Sequence, residues 1–191
     1  MISIRCDILA AALHFCGNGK DHRPYLAGVN IDPRGYVMAT DGYIGFIAKL
    51  DGDAPEQPFT IPADVLKVAV AGYKRDWRQV PARMGVERGS IAGKPFVPLE
   101  MQTRTQYPDA HRVFPSECNG VTGQFNLEPL ARVRKAAVEL HEGRGKGNGL
   151  FHLFHNGEGP AGVRFHGRED CRAVVMPFKG AFAAHEWRML K

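Results

Sequence analysis

One order of elements, written three times, limits what this chain can become. A strand, a helix and three further strands recur with a spacing of about sixty residues along 191 residues. In the first copy residues 1–5 alternate in polarity, then Cys6, Leu9, Leu13 and Cys16 share one helical face that begins beside Asp7, a good capping residue. Gly17 and Gly19 end that helix, and residues 25–32, 35–40 and 43–50 read as three strands. A unit of this size cannot bury its own sheet face. The recurrence therefore predicts an α+β fold in which units stack on one another and share a core.

The second copy opens with Phe59, Thr60 and Ile61 and places Pro62 at a helix start. Val65, Leu66 and Ala69 form the buried face, Gly72 closes the helix, and strands are predicted at 80–86, 90–92 and 96–104. The third has a short strand at 122–125, then Asn126 as the cap of a helix with Leu127, Leu130, Val133 and Leu140 as core candidates. Strands at 150–155, 162–166 and 172–178 complete it. These copies predict a domain over residues 1–115, a single unit over 116–179 and an extension over 180–191.

Within the first copy, Tyr36 to Thr40 alternates with the period of a strand, Asp41-Gly42 marks a two-residue bend, and residues 43–49 resume the run. The result is a hairpin with Thr, Asp and Gly at its tip.

The apolar fraction of 44% and charged fraction of 24% suit a core-forming globular chain, and a net charge of +5 fits a polyanionic partner. Cys6, Cys16, Cys118 and Cys171 lack C-x-x-C spacing, so neither a disulfide framework nor a zinc site is expected. No signal pattern or membrane-length apolar run is present, which predicts a cytoplasmic protein without a membrane partner. Enzymatic readings fail on spacing. Gly143-Arg144-Gly145-Lys146-Gly147 lacks the phosphate-loop pattern, and His152 and His155 fall on opposite faces of a strand. Asp41 has no partner histidine or carboxylate at fixed spacing and reads as a turn residue. No catalytic set and no cofactor are expected.

Five segments, in order, resemble the bacterial sliding clamp family, the beta subunit of DNA polymerase III. They are Arg23 to Val29, the hairpin Ala39-Thr40-Asp41-Gly42-Tyr43, Phe59-Thr60-Ile61-Pro62, the linker Tyr107 to Pro115, and Val174-Val175-Met176-Pro177-Phe178. The resemblance implies a DNA clamp fold, here about one and a half clamp domains: one resembling the family's middle domain, followed by a unit resembling the end of its last. Tyr43-Ile44-Gly45 stands where the family has His-Arg-Leu, and a twelve-residue extension follows Lys179. A shortened clamp, encoded by a phage or mobile element, is the implied identity.

What the resemblance implies about function is binding. Hairpin, linker and C-terminal strand would form a groove for short motifs of DNA polymerase, clamp loader and repair proteins. Its wall would be Leu26, Thr40, Gly42, Tyr43, Pro108, Val113, Val174, Val175, Met176 and Pro177, with Arg23, Arg112 and Lys179 at the rim and Phe178 as aromatic surface. The alternative is that these residues only pack a domain junction.

Double-stranded DNA would be held without sequence preference on the helix side. Candidates are Lys20, Tyr25, Lys67, Lys74, Arg75, Arg78, Arg132, Arg134, Lys135, Arg144 and Lys146, against the plainer reading of a solvated charged face. An odd number of units leaves one without a mate, which implies a homo-oligomer, a dimer or a tetramer. A different role for the same groove is a clamp mimic that sequesters partners without encircling DNA.

Overall fold

The computed structural model describes residues 1–20, 22–72, 82–140 and 149–179. Two antiparallel sheets carry a layer of helices. The first unit comprises β1 (Ile2–Arg5), α1 (Cys6–Leu13), β2 (Gly28–Asp32), β3 (Tyr36–Thr40) and β4 (Ile44–Lys49). The second comprises β5 (Phe59–Pro62), α2 (Ala63–Ala71), β6 (Arg83–Glu87), β7 (Ser90–Ile91) and β8 (Lys94–Pro95), followed by a short α3 (Leu99–Thr103). The third comprises α4 (Leu127–Leu140), β9 (Phe151–Phe154), β10 (Ala161–Phe165) and β11 (Arg168–Val175).

The first two units exchange their leading strands. β1 pairs with β6, giving a four-stranded sheet ordered β1-β6-β7-β8, and β5 pairs with β2. Because β11 pairs along β4, the first and third units share a seven-stranded sheet, ordered β5-β2-β3-β4-β11-β10-β9. No unit closes its sheet alone, which is the physical meaning of the threefold recurrence.

Alternation along the strands sends Val37, Ala39, Ile44, Phe46, Val163, Phe165, Ala173 and Val175 into one core with the helices. α1 packs between α2 and α4, and its alanines at 10–12 permit close approach. Phe46 stacks on Phe15 at 5.2 Å and meets Phe165 edge-on at 6.0 Å, so one ring joins the first unit to the third.

Charge holds the same joint. Arg168 is buried and donates to Asp7, Asp170 and the Leu140 carbonyl, while Arg5 also pairs with Asp7. Asp7, expected as a helix cap, is instead the carboxylate that ties α1 to β11; Arg5 is the capping position and makes no side-chain cap.

Several expectations shift. Residues 96–104 contain α3 rather than a strand: Pro98 in extended geometry starts a turn that good helix formers continue, and Leu99 is buried. Glu100 caps the edge of β5 by accepting from the Thr60 amide at 3.0 Å. Residues 122–125 join no ladder; their neighbours bond to the 155–157 loop through Gly120 to His155 and Gly157 to Val121. A leading strand here pairs with another unit's sheet, and among the described residues the third unit has no mate. Leu127 is 80% exposed, because it lies about 120° around α4 from the Val133–Ala137–Leu140 stripe. The 80–86 strand begins at Arg83 among the described residues.

Candidate peptide groove

The hairpin tip is one residue further on than expected. Asp41 N donates to Ile44 O at 3.3 Å, so Gly42 and Tyr43 form the bend, with Gly42 at φ +93°. The Asp41 Oδ1 accepts from the Tyr43 and Ile44 amides at 2.7 and 2.9 Å, and Thr40 Oγ1 accepts from Gly42 N at 3.0 Å. Thr40 Oγ1 also donates to Ile44 O at 2.7 Å, so four side-chain bonds hold the turn and leave Tyr43 64% exposed. The Arg23 guanidinium lies over that ring at 5.8 Å.

The linker crosses the outer face of the seven-stranded sheet, opposite the helices. Tyr107 accepts from the Thr40 amide at 2.7 Å, and burial pushes its phenol well above the usual range. His111 meets the Tyr36 ring at 4.7 Å. Arg34 bridges Asp32 at 2.8 Å and Asp109 at 2.9 Å, and hydrogen bonds from Arg34 hold both carboxyls below the ordinary carboxylate range. Beyond them Phe114 comes down over Gly45. A Cβ at Gly45 would stand 3.1 Å from Val174 and 3.7 Å from Phe114, so the missing side chain is what leaves space there.

The third wall follows β11. Met176 N donates to Tyr43 O at 2.8 Å, fastening the chain after β11 to the hairpin tip, and Phe178 N donates to Gln124 O at 2.7 Å.

Two cavities result. A small one of about 40 Å³ lies among Thr40, Gly42, Tyr43, Ile44, Gly45, Pro108, Val113, Phe114, Val174 and Met176. A larger one of about 800 Å³ is lined by Asp41, Gly42, Tyr43, Asn126, Glu128, Pro129, Arg132, Glu158, Pro160, Met176, Pro177, Phe178 and Lys179. Gly42, Tyr43 and Met176 line both, so the cavities form one trough. Exposed Tyr43, Val113 and Phe178 give the trough apolar surface.

Of the expected wall, Thr40, Gly42, Tyr43, Pro108, Val113, Val174, Met176, Pro177, Phe178 and Lys179 are brought together here. Leu26 and Val175 are not. Leu26 is buried, with its carbonyl closing the turn after α1 on Gly17 N, and Val175 points to the helix side of its strand. Arg112 lines neither cavity; it is exposed beside Asp109 at 3.8 Å. Sequence reasoning missed Phe114 and Gly45, both inside segments it had singled out, and the wall of Asn126, read only as a helix cap, with Pro129, Glu158 and Pro160, which carried no sequence signal.

On the helix side, Lys67 is exposed on α2, Arg134 and Lys135 on α4, and Lys20 in the loop after α1, with Tyr25 half-buried. Arg132 departs from the DNA-contact expectation. Its Nε donates to His14 O at 2.7 Å, Nη2 to Cys16 O at 2.9 Å and Nη1 to Asp41, so every nitrogen of the fork has a partner inside the fold. Lys74, Arg75, Arg78, Arg144 and Lys146 lie outside the described residues. Among the described residues no helix is long and apolar enough to cross a membrane.

No protein-family model matches the chain, and no curated protein matches it in sequence. Solved structures do match. The DNA polymerase III beta subunit of Thermotoga maritima superposes with a TM-score of 0.64 at 12% identity, over 96% of this chain and 65% of that one. The Helicobacter pylori beta clamp bound to a DNA ligase peptide gives 0.58 at 14%, over 93% and 65%. The beta chain of Streptococcus pneumoniae DNA polymerase III gives 0.59 at 14%, over 94% and 64%. The chain thus spans just under two-thirds of the length of the clamps it matches. The fold of the chain is that of the bacterial sliding clamps.

Proposed function

We propose that this chain is a clamp-like replication factor that holds partner proteins by short linear segments seated between hairpin, linker and the end of β11. The observation carrying this reading is the convergence of three segments distant in sequence on one apolar trough. The Helicobacter clamp with its DNA ligase peptide supports it by likeness of fold. Two apolar anchors buried there would contribute about 1.5–3 kcal/mol each, short of the roughly 8 kcal/mol of micromolar binding, so backbone and polar contacts along the segment supply the remainder. Polymerase, loader and repair proteins are the partner class.

Non-specific contact with duplex DNA belongs to the same reading, through Lys20, Lys67, Arg134 and Lys135 on the helix side together with the basic residues at 74–78 and 144–146. Self-association belongs to it as well. Among the described residues β9 is a sheet edge without the leading strand that β1 and β5 supply to the other units, and a second copy can cover it across a twofold axis. Two such dimers supply a tetramer.

The engagement of Arg132 favours a second reading. With the first cation of α4 turned inward, the chain acts as a mimic that occupies clamp-binding segments without encircling DNA. Charge reversal at Arg134 and Lys135, compared with Met176→Asp, separates the two. A processivity factor loses polymerase stimulation with either change, whereas a mimic loses activity only with Met176→Asp. Retained partner binding in Met176→Asp contradicts both.

A further inference from the structure

We propose that the groove extends past Phe114 into a third cavity that takes an acidic side chain flanking the seated segment; this rests on the peptide reading above. The cavity, of about 410 Å³, lies between linker residues Phe114 to Cys118 and the outer face of β9, β10 and β11. Phe114 and Val174 line both it and the small cavity, so an extended chain leaving the trough beside Phe114 enters it directly.

Its chemistry differs from the apolar trough. Arg164 and Arg172 both line it, against one carboxylate, Glu117. Their strand positions place both on the sheet face away from the core, across a direct pairing of β10 with β11. The Arg164 guanidinium is braced over the Phe154 ring at 5.7 Å. Arg172 is braced by its Nη1, which donates to the carbonyls of Arg168, Glu169 and Cys171 at 3.4, 3.0 and 2.8 Å. No carboxylate among the described residues forms an ion pair with either guanidinium. Two braced forks facing one half-enclosed cavity are suited to a carboxylate, which planar guanidinium binds in two-point fashion. The occupant is therefore a Glu or Asp side chain on a peptide whose apolar anchors fill the trough.

The test uses the DNA ligase peptide of the Helicobacter clamp, fluorescein-labelled and extended by Gly-Glu-Glu or by Gly-Gln-Gln, at one end or the other. Anisotropy titrations of the full chain are expected to show about fivefold tighter binding for glutamate than glutamine at one end only, an advantage that shrinks in high salt. Arg164→Gln, an exposed position, is expected to remove the advantage while leaving the glutamine peptide's affinity unchanged. Equal binding of glutamate and glutamine peptides, an equal advantage at both ends, or an advantage that survives Arg164→Gln overturns the extension and leaves the groove reading standing. Failure of every peptide to bind, or glutamine-peptide binding insensitive to Met176→Asp, overturns the groove reading and the extension with it.

Discussion

Arg132, on the helix of the third unit, is ion-paired with Asp41 at the hairpin tip of the first. The same fork closes on the last carbonyls after α1, so one side chain locks the groove's hairpin wall to the helix layer. The trough lies at a joint between units, and its shape depends on how firmly the joint is held.

Removing that lock tests the dependence. Arg132→Met is expected to cost about 1–3 kcal/mol, because three acceptors lose their donor together. Urea denaturation reads the loss, and peptide affinity should fall with it as the tip loosens. An unchanged midpoint contradicts the lock.

The buried cluster at the other end of the joint should be more sensitive. Arg168→Met leaves Asp7 with only Arg5 as counter-charge, and breaking a buried pair on one side costs about 3–5 kcal/mol. Arg168→Met combined with Asp7→Leu should recover part of that loss. Recovery of nothing in the double variant would show that packing, not charge, holds β11 to α1.

Gly45 is where a single methyl should separate binding from folding. Gly45→Ala places a carbon 3.1 Å from Val174 in a cavity of about 40 Å³. Thermal stability should drop by about 1–3 kcal/mol at most, while peptide affinity falls several-fold. Full affinity in Gly45→Ala would remove the small cavity from the site.

The linker carries the acid response. Asp32 and Asp109 have carboxyls lowered by Arg34, so their contribution is complete above the ordinary carboxylate range near 4 and is lost as pH falls through their lower folded values. Wild-type urea midpoints should therefore fall more between pH 5 and pH 3 than those of Arg34→Met. Identical slopes would show that the bridge does not couple linker to sheet.

Much of this fold is legible in the sequence because it repeats. Helical stripes such as Leu66–Ala69 and alternation such as Val37–Ala39 fix element type locally, and three copies fix the stacking. What is not legible depends on neighbours far along the chain. Residues 122–125 join no sheet among the described residues, and Leu99 is helical because Pro98 turns the chain into a run of helix formers between the predicted strand ends. The same holds for the site. The hairpin, linker and C-terminal strand announce themselves as motifs, and the structure gathers most of their named residues around the two cavities. Arg132 and Asp41 lie 91 residues apart, and nothing in either segment says that a basic helix residue turns inward. Val175 was assigned to the wall with its neighbours, yet strand alternation alone puts it on the face opposite Val174.

The central claim, that the trough between hairpin, linker and β11 seats a peptide, is tested most directly by amide shift mapping. Isotope-labelled protein titrated with the DNA ligase peptide should show saturable shifts at Gly42, Tyr43, Gly45, Val113, Phe114 and Met176, with Arg134 and Lys135 on α4 unmoved. Shifts confined to the α4 face, or none at saturating peptide, would contradict the account.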